Sequence, residues 1–330
     1  MNLPQRCGLL FFAVALAGCG ERAPQALART GRLGSFRDLV LFERAPSLGG
    51  PFFLDRFEVT RADWTEFART PTGIANAAPM PVIAVVSDDA LPVTGIDWLQ
   101  ARAFATWRCC RLPSSVEWWY ATTANGRYAF PWGDNYDSAR ANTYELGLFK
   151  PVAVGTFESG RANALSPYDL VGNIAEWTES VPATFFQSEP SALSAVWSAT
   201  RVLQASPALA AWSFPGFGWS PFLLVQAAGE SAPREVLGSD FASDRTDFVR
   251  AHALRDRTDT IGLRLCSRPA EILRAVAAIA NELSIDDRQQ LRRFILRQGH
   301  AEVLRAALSE CAQRAELDSE QLAFWRVYLL

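Results

Sequence analysis

The sequence predicts an α+β domain, rich in ordered loops and closed by an α-helical extension. Three observations carry this. A strand-like run from Phe52 to Val59 precedes three short segments of helical pattern. From Asn125 to Asn173 regular periodicity fades, and Gly, Pro, Asn and Asp dominate. From Ala270 onward apolar residues return at helical spacing.

Taken in order, Phe53, Phe57 and Val59 are the apolar positions of the opening strand. Thr60 with Asp63 resembles a capping box, and the helix behind it carries Trp64 and Phe67 on one face. Pro71 to Pro92 reads as loop, with a short apolar stretch from Val82 to Val86. Asp97 caps a second helix that runs to Trp107. Ser114 and Glu117 form the S-x-x-E box of a third, which holds Trp118 and Tyr120. The long loops after Ala124 need a further source of order, such as a metal. Residues 181–233 differ in texture, being rich in Ala, Ser, Pro and aromatics, and read as an insertion. In the tail, Ile272, Leu273, Val276, Ile279 and Leu283 share a helical face. Ser284 with Asp287 starts another helix that Gly299 ends, and further helices begin near Ala301 and Ser319.

Composition bounds the function. The 330 residues are 49% apolar and 20% charged, enough for a real core, and the formal charge of −3 offers nucleic acid no electrostatic footing. Two histidines, His252 and His300, exclude any site that needs three imidazoles from one chain. At the N-terminus, Arg6, the apolar run Leu9 to Ala17, and Leu16-Ala17-Gly18-Cys19 read as a signal peptide (1–18) ending in a lipobox. Cys19 would become the acylated first residue and anchor the protein in a bacterial cell envelope. Gly20, not Asp, follows it, which leaves the outer membrane as the default. Residues 19–48 are expected to be a tether, the body to span 49–269, and the helical module 270–330. In an exported protein Cys109, Cys110, Cys266 and Cys311 could pair in three ways, and spacing does not choose.

Several stretches, in order, resemble the formylglycine-generating enzyme family, also called sulfatase-modifying factors. Phe53 to Thr60 is similar to its opening motif. Pro92 to Trp98, Arg111-Leu112-Pro113-Ser114 through Trp118, and Phe130-Pro131-Trp132-Gly133 follow in register. Tyr168-Asp169-Leu170-Val171-Gly172-Asn173-Ile174-Ala175-Glu176-Trp177 resembles the family's GN-x-x-EW loop, and Ile261-Gly262-Leu263-Arg264-Leu265-Cys266 its closing GFRC. The resemblance implies a fold related to C-type lectin domains. It also implies structural calcium held by side chains at Asp169 and Glu176 and by the carbonyls of Gly172 and Ile174. Hard oxygens from a tight turn suit that ion. A second site, through Asn142 and the carbonyl of Thr143, is implied less completely, because its downstream partners are shortened here. It further implies a disulfide from Cys109 or Cys110 to Cys266.

The same resemblance places the family's catalytic cysteine pair just after Arg234 to Ser239. The residues there, Asp240 to Asp247, include no cysteine, and none lies anywhere between Cys110 and Cys266. A thiolate is the copper ligand and nucleophile in that chemistry. The iron-dependent branch of the superfamily needs three histidines. Neither copper nor iron is therefore expected. The expectation is a non-catalytic binding or structural module that meets a protein or peptide through the aromatic insertion or the helical tail, and the membrane through its lipid. The alternative is an enzyme of unrecognised mechanism that uses the acidic residues from Asp240 to Asp247 on the same scaffold.

Overall fold

Local chemistry sets where the early helices start. In the computed structural model, which describes residues 29–45, 48–76, 89–124, 127–182, 232–244 and 247–330, all the expected caps are in place. Helix α1 (Arg61–Ala68) begins on Thr60, whose hydroxyl accepts the Asp63 N–H while the Asp63 carboxylate accepts the Thr60 N–H. The same reciprocal box opens α3 (Trp98–Trp107) with Asp97 and Gln100, and α4 (Ser115–Thr122) with Ser114 and Glu117. The stretch read as loop after Pro71 contains a short helix, α2 (Pro71–Ala75). Thr70 caps it through the Gly73 N–H, and Pro71 stands at its first position, where a missing N–H costs nothing. Val82 to Val86 lies outside the described residues.

Two small sheets hold the body. In the first, β2 (Phe52–Asp55) lies between β1 (Leu39–Phe42) and β7 (Cys266–Ser267), antiparallel to both. In the second the order is β5 (Val249–His252), β4 (Arg234–Leu237), β3 (Ala175–Trp177) and β6 (Ile261–Gly262), with only the β3–β6 pair parallel. Short strands, short helices and long connections make this the loop-rich α+β body that was expected. Its core is aromatic: Trp64, Phe67, Phe104, Trp98 and Trp177 are fully buried. Trp98 and Trp177 each donate their indole N–H to a backbone carbonyl, of Thr178 and Ile96, so their burial strands no donor. The insertion leaves and returns at one place, since Ser180 and Glu235 extend the β3–β4 ladder (Glu235 N–H to Ser180 O, 2.8 Å). Residues 183–231 lie outside the described residues.

Two boundaries need correction. The tether does not reach residue 48. Arg29 is 5% exposed and bridges Asp55 and Asp63 at 2.6 and 2.7 Å. Leu33, Phe36 and Leu39 are buried as well. They belong to one apolar cluster with Phe53 and with the four tail helices, α5 (Pro269–Ala278), α6 (Ile285–Ile295), α7 (His300–Gln313) and α8 (Ser319–Leu329). The helical tail thus packs on the body as the cover of the N-terminal segment, and it begins at Pro269, one residue before the expected boundary. Gly299 both ends the α6 region and, in the left-handed conformation (φ 79°), stands as the N-cap position of α7.

The implied disulfide is also corrected. Cys109, Cys110, Cys266 and Cys311 are all free thiols. Cys109 turns into the tail cluster, with its Sγ 3.9 Å from the Ala275 carbonyl. Cys266 faces the other way, 3.6 Å from a carboxylate oxygen of Glu117 in the cluster around Trp118. The backbone contact between the two regions runs instead through Arg111, whose N–H and carbonyl both bond Cys266.

Candidate functional site

The loop from Tyr168 to Glu176 is bent by three residues in left-handed conformation, Asp169 (φ 53°), Gly172 (φ 78°) and Asn173 (φ 64°). Only Gly172 has no alternative. A Cβ there would lie 2.5 Å from the Asn142 carbonyl oxygen, so the loop presses directly on the segment that carries Asn142 and Thr143. The two predicted calcium loops are therefore neighbours. Asn173 knits them: its N–H bonds the Asn142 carbonyl at 2.8 Å, and its side-chain oxygen accepts from Asn142 Nδ2 and from the Val152 N–H.

Beneath this loop three buried carboxylates meet. Asp169 accepts the Gly155 N–H at 2.8 Å. Glu58 accepts from Asn173 Nδ2 at 2.6 Å and from the Ile174 N–H at 3.2 Å. Glu176 takes the Trp118 indole N–H at 2.9 Å and the guanidinium of Arg264, with Nη2 at 2.7 Å and Nε at 3.0 Å from both oxygens. Arg264 is itself fully buried and donates onward to the carbonyls of Asp55 and Tyr168. Burial pushes the Asp169 carboxyl up to about 6, and the Glu176 charge adds to the push. Burial, with Asp169 and Glu176 close by, holds Glu58 well above the ordinary carboxylate range. Among the described residues, Arg264 is the cation that faces all three.

This arrangement tests the calcium expectation residue by residue. Glu176 does not fit as a ligand here, because Arg264 and Trp118 already engage its oxygens. Asp169, Gly172 and Ile174 remain on the loop, and no group of three or more His, Cys, Asp or Glu converges for a metal among the described residues. The donors that would be needed are mostly carbonyls and amides, and one observation favours them. Asn142 is fully buried, and its Oδ1 has no hydrogen-bond partner. An orphan acceptor beside surplus buried carboxylate suits a hard cation.

The loop after β4 holds the acidic residues of the expected alternative, and residues 240–244 and 247 of it are described. Asp240 is 1% exposed. One of its oxygens accepts the N–H groups of Ala242 and Ser243, and the other meets Arg250 Nη2 at 2.7 Å. Phe241 N–H bonds the Asn173 carbonyl, and the Ser243 carbonyl accepts from Tyr144, so this turn is fixed to both neighbouring loops. Asp247 is half-exposed, 3.7 Å from Arg250. His252 sits 3.4 Å from Asp256 over the edge of Trp177, and His300 is buried in the tail cluster.

Sequence reasoning did not single out a cleft of about 760 Å³ between Trp132 and Glu145. Trp132 and Tyr136 line it together with Asp134, Asp137, Arg140 and Glu145. Phe130 stacks on Trp132 (5.4 Å) and props Tyr136 (5.6 Å). Close by in sequence, Tyr144 and Phe149 form an edge-on pair at 5.3 Å with more than half of each ring's residue exposed. The available signal was the density of aromatics among acids from Phe130 to Phe149, inside a stretch read only as loop. The roles of Glu58 and Arg264 were likewise unassigned, although both lie in motifs that the sequence displayed.

Residues 44–266 match the family model described as the sulfatase-modifying factor enzyme 1-like domain. Similar curated proteins include the inactive C-alpha-formylglycine-generating enzyme 2 of Bos taurus, 33% identical over 37% of this chain and 40% of its own length. The hercynine oxygenase of Mycolicibacterium smegmatis is 27% identical over 39% of this chain and 37% of its own. The formylglycine-generating enzyme of Mycobacterium tuberculosis is 32% identical over 35% and 40%. The chain thus spans about two fifths of the length of these relatives. Among solved structures, PvdO from Pseudomonas aeruginosa superposes with a TM-score of 0.42 at 21% identity, over 66% of this chain and 80% of that one.

Proposed function

Because this chain belongs to the family of sulfatase-modifying factor enzyme 1-like domains, we propose that it is a non-catalytic member, anchored in a bacterial envelope, that binds a partner rather than oxidising one. The observation that carries the reading is the turn after β4. The resemblance puts the family's thiolate pair there, and this chain has Ala242 and Asp247 near those points, beside a capped, ion-paired Asp240. A buried carboxylate whose oxygens are already taken by two N–H groups and a guanidinium cannot replace a thiolate as copper ligand. The same facts weigh against the acid-based enzyme.

The partner-binding face that supports this reading best is the cleft at Trp132 and Tyr136. Flat rings give apolar contact at low entropic cost, and Asp134 and Glu145 favour a basic or hydrogen-bond-donating segment of polypeptide, while Asp137 is paired with Arg140 at 3.0 Å. A calcium ion, where present, would be held by Asp169 and the carbonyls of Gly172 and Ile174, and a second, at the neighbouring site, by Asn142 and the Thr143 carbonyl. Together they would supply positive charge to the buried carboxylates and order to the loops that back the cleft. Glu176 stays with Arg264. The test is direct. Purified protein is incubated with copper(I), oxygen and a cysteine peptide derived from a sulfatase, and the peptide is weighed by mass spectrometry. No formylglycine above the protein-free control is expected, and conversion of the cysteine would overturn the proposal.

A further inference from the structure

The tail presents a helix face that none of the described residues covers. Helix α6 buries Asp287, Leu291, Phe294 and Ile295. On its opposite side Ile285, Arg292 and Leu296 follow at spacings of seven and four, which puts them on one line along the helix. Ile285 and Leu296 are 79% and 84% exposed, among the most exposed large apolar residues described. Arg288 and Arg293 flank the line, so the outward surface is basic, with Asp286 the acidic residue beside it. Arg292 also lies over the Tyr328 ring at 5.8 Å, which joins the end of α8 to the same surface.

The position of this face relative to the chain's entry is what gives it meaning. The segment that would descend from the lipid anchor docks on the first turn of α6. Asp287 accepts the Leu33 N–H at 2.9 Å, and a Cβ on Gly31 would lie 2.6 Å from the same carboxylate. Arg32 reaches Glu282 just before that turn. Ten residue steps separate Cys19 from Arg29, which is at most about 35 Å of extended chain. Helix α6, at 11 residues, is only about 16 Å long. The geometry points to the outward face of α6 as a membrane contact: it lies along an anionic bilayer leaflet, Ile285 and Leu296 entering the headgroup boundary and Arg292 and Arg293 meeting lipid phosphates. An amphipathic helix with apolar and basic residues on one side has this chemistry, and basic residues near an anionic leaflet are drawn to it. The inference rests on the envelope-anchored reading and adds to it an orientation for the whole domain.

The experiment uses acylated full-length protein in a Cys110→Ser background, the other body thiols being buried. It is placed in vesicles of phosphatidylglycerol with phosphatidylethanolamine, or of phosphatidylcholine alone. A nitroxide is attached at Leu296→Cys or, for comparison, at Leu165→Cys, which is 71% exposed in a distant part of the sequence. Flotation with the vesicles reads the anchor, and the nitroxide's collisions with oxygen and with an aqueous nickel chelate read the face. In the anionic vesicles the label at 296 should favour oxygen over nickel at least severalfold more than the label at 165. Arg292→Glu with Arg293→Glu, or the change to phosphatidylcholine, should reduce that ratio towards the comparison value. Equal ratios at the two positions in a chain that floats would refute the membrane face and leave the anchor standing. A chain that does not float overturns both.

Discussion

Replacing His300 with phenylalanine should remove part of the protein's loss of stability between pH 8 and pH 5. The imidazole is 2% exposed, at the start of α7, and packs edge-on against Phe53 (5.0 Å) and Phe294 (4.6 Å). Its Nδ1 has no hydrogen-bond partner. Burial, helped by the Arg297 charge and opposed by a backbone hydrogen bond at Phe294, lowers its pKa from 6.5 to about 4. The unfolded chain therefore takes up a proton as pH falls through 6.5, and the folded chain refuses it until about 4. Folding stability is lost across that window, by about 2 kcal/mol at pH 5. Asp169 acts in the opposite sense, since its folded value of about 6 lies above the unfolded 3.8 and acidification over that range favours the folded state. The informative quantity is hence the difference between the two proteins. Urea unfolding at pH 8, 6.5 and 5 gives it, with each protein's pH 8 value removing the packing cost of the larger ring. The wild type should lose about 2 kcal/mol more than His300→Phe between pH 8 and pH 5. Equal losses would mean that His300 is solvated or protonated in the folded state, and the argument would fail.

Three other outcomes follow from the same contacts. Arg29→Ala takes the bridging cation from buried Asp55 and leaves Asp63 with Arg108 alone, and should cost about 3–5 kcal/mol in urea unfolding, so a loss under about 1 kcal/mol would contradict the ion network. Chelation by EDTA should lower the melting temperature, because an ion that binds only the folded state at about 100 times its dissociation constant adds about 2.7 kcal/mol. Asp169→Ala should abolish that response, and an unchanged wild-type melting curve would exclude structural calcium. Cys19→Ser should prevent incorporation of a clickable fatty acid and release the protein from membranes, and equal labelling of both forms would refute the lipobox reading.

What the sequence disclosed was local, and what it hid was long-range. Thr60 with Asp63, Asp97, Ser114 with Glu117 and Ser284 with Asp287 all cap helices where the sequence placed them, because a cap is made within four residues. Helix α2 was missed although Thr70 and Pro71 carried its start signal, since Gly73 and five-residue length leave no periodicity to read. The segment from Arg29 to Phe42 looked like a tether because its partners, Asp55, Asp63 and Asp287, lie 26, 34 and 254 positions away from the residues they hold. The loop of Asp169 and the closing motif of Arg264 were both visible as motifs. Their union through Glu176, across 88 positions, was not, and it is this pairing that takes Glu176 out of the expected ligand set.

The interlocking of the two ends of the chain also fixes a timetable. A polypeptide emerges N-terminus first, whether from a ribosome or through an export channel. Strand β2 can meet β1 early, but its other edge waits for Cys266 and Ser267, and Leu33, Phe36 and Leu39 stay uncovered until α5 to α8 have been delivered. Pairings of such separation are slow to form and expose apolar surface meanwhile. Helices made late complete a segment made early, so this domain cannot close before α5 to α8 arrive. A chain that stays open until then keeps its early apolar segment uncovered through most of its own synthesis.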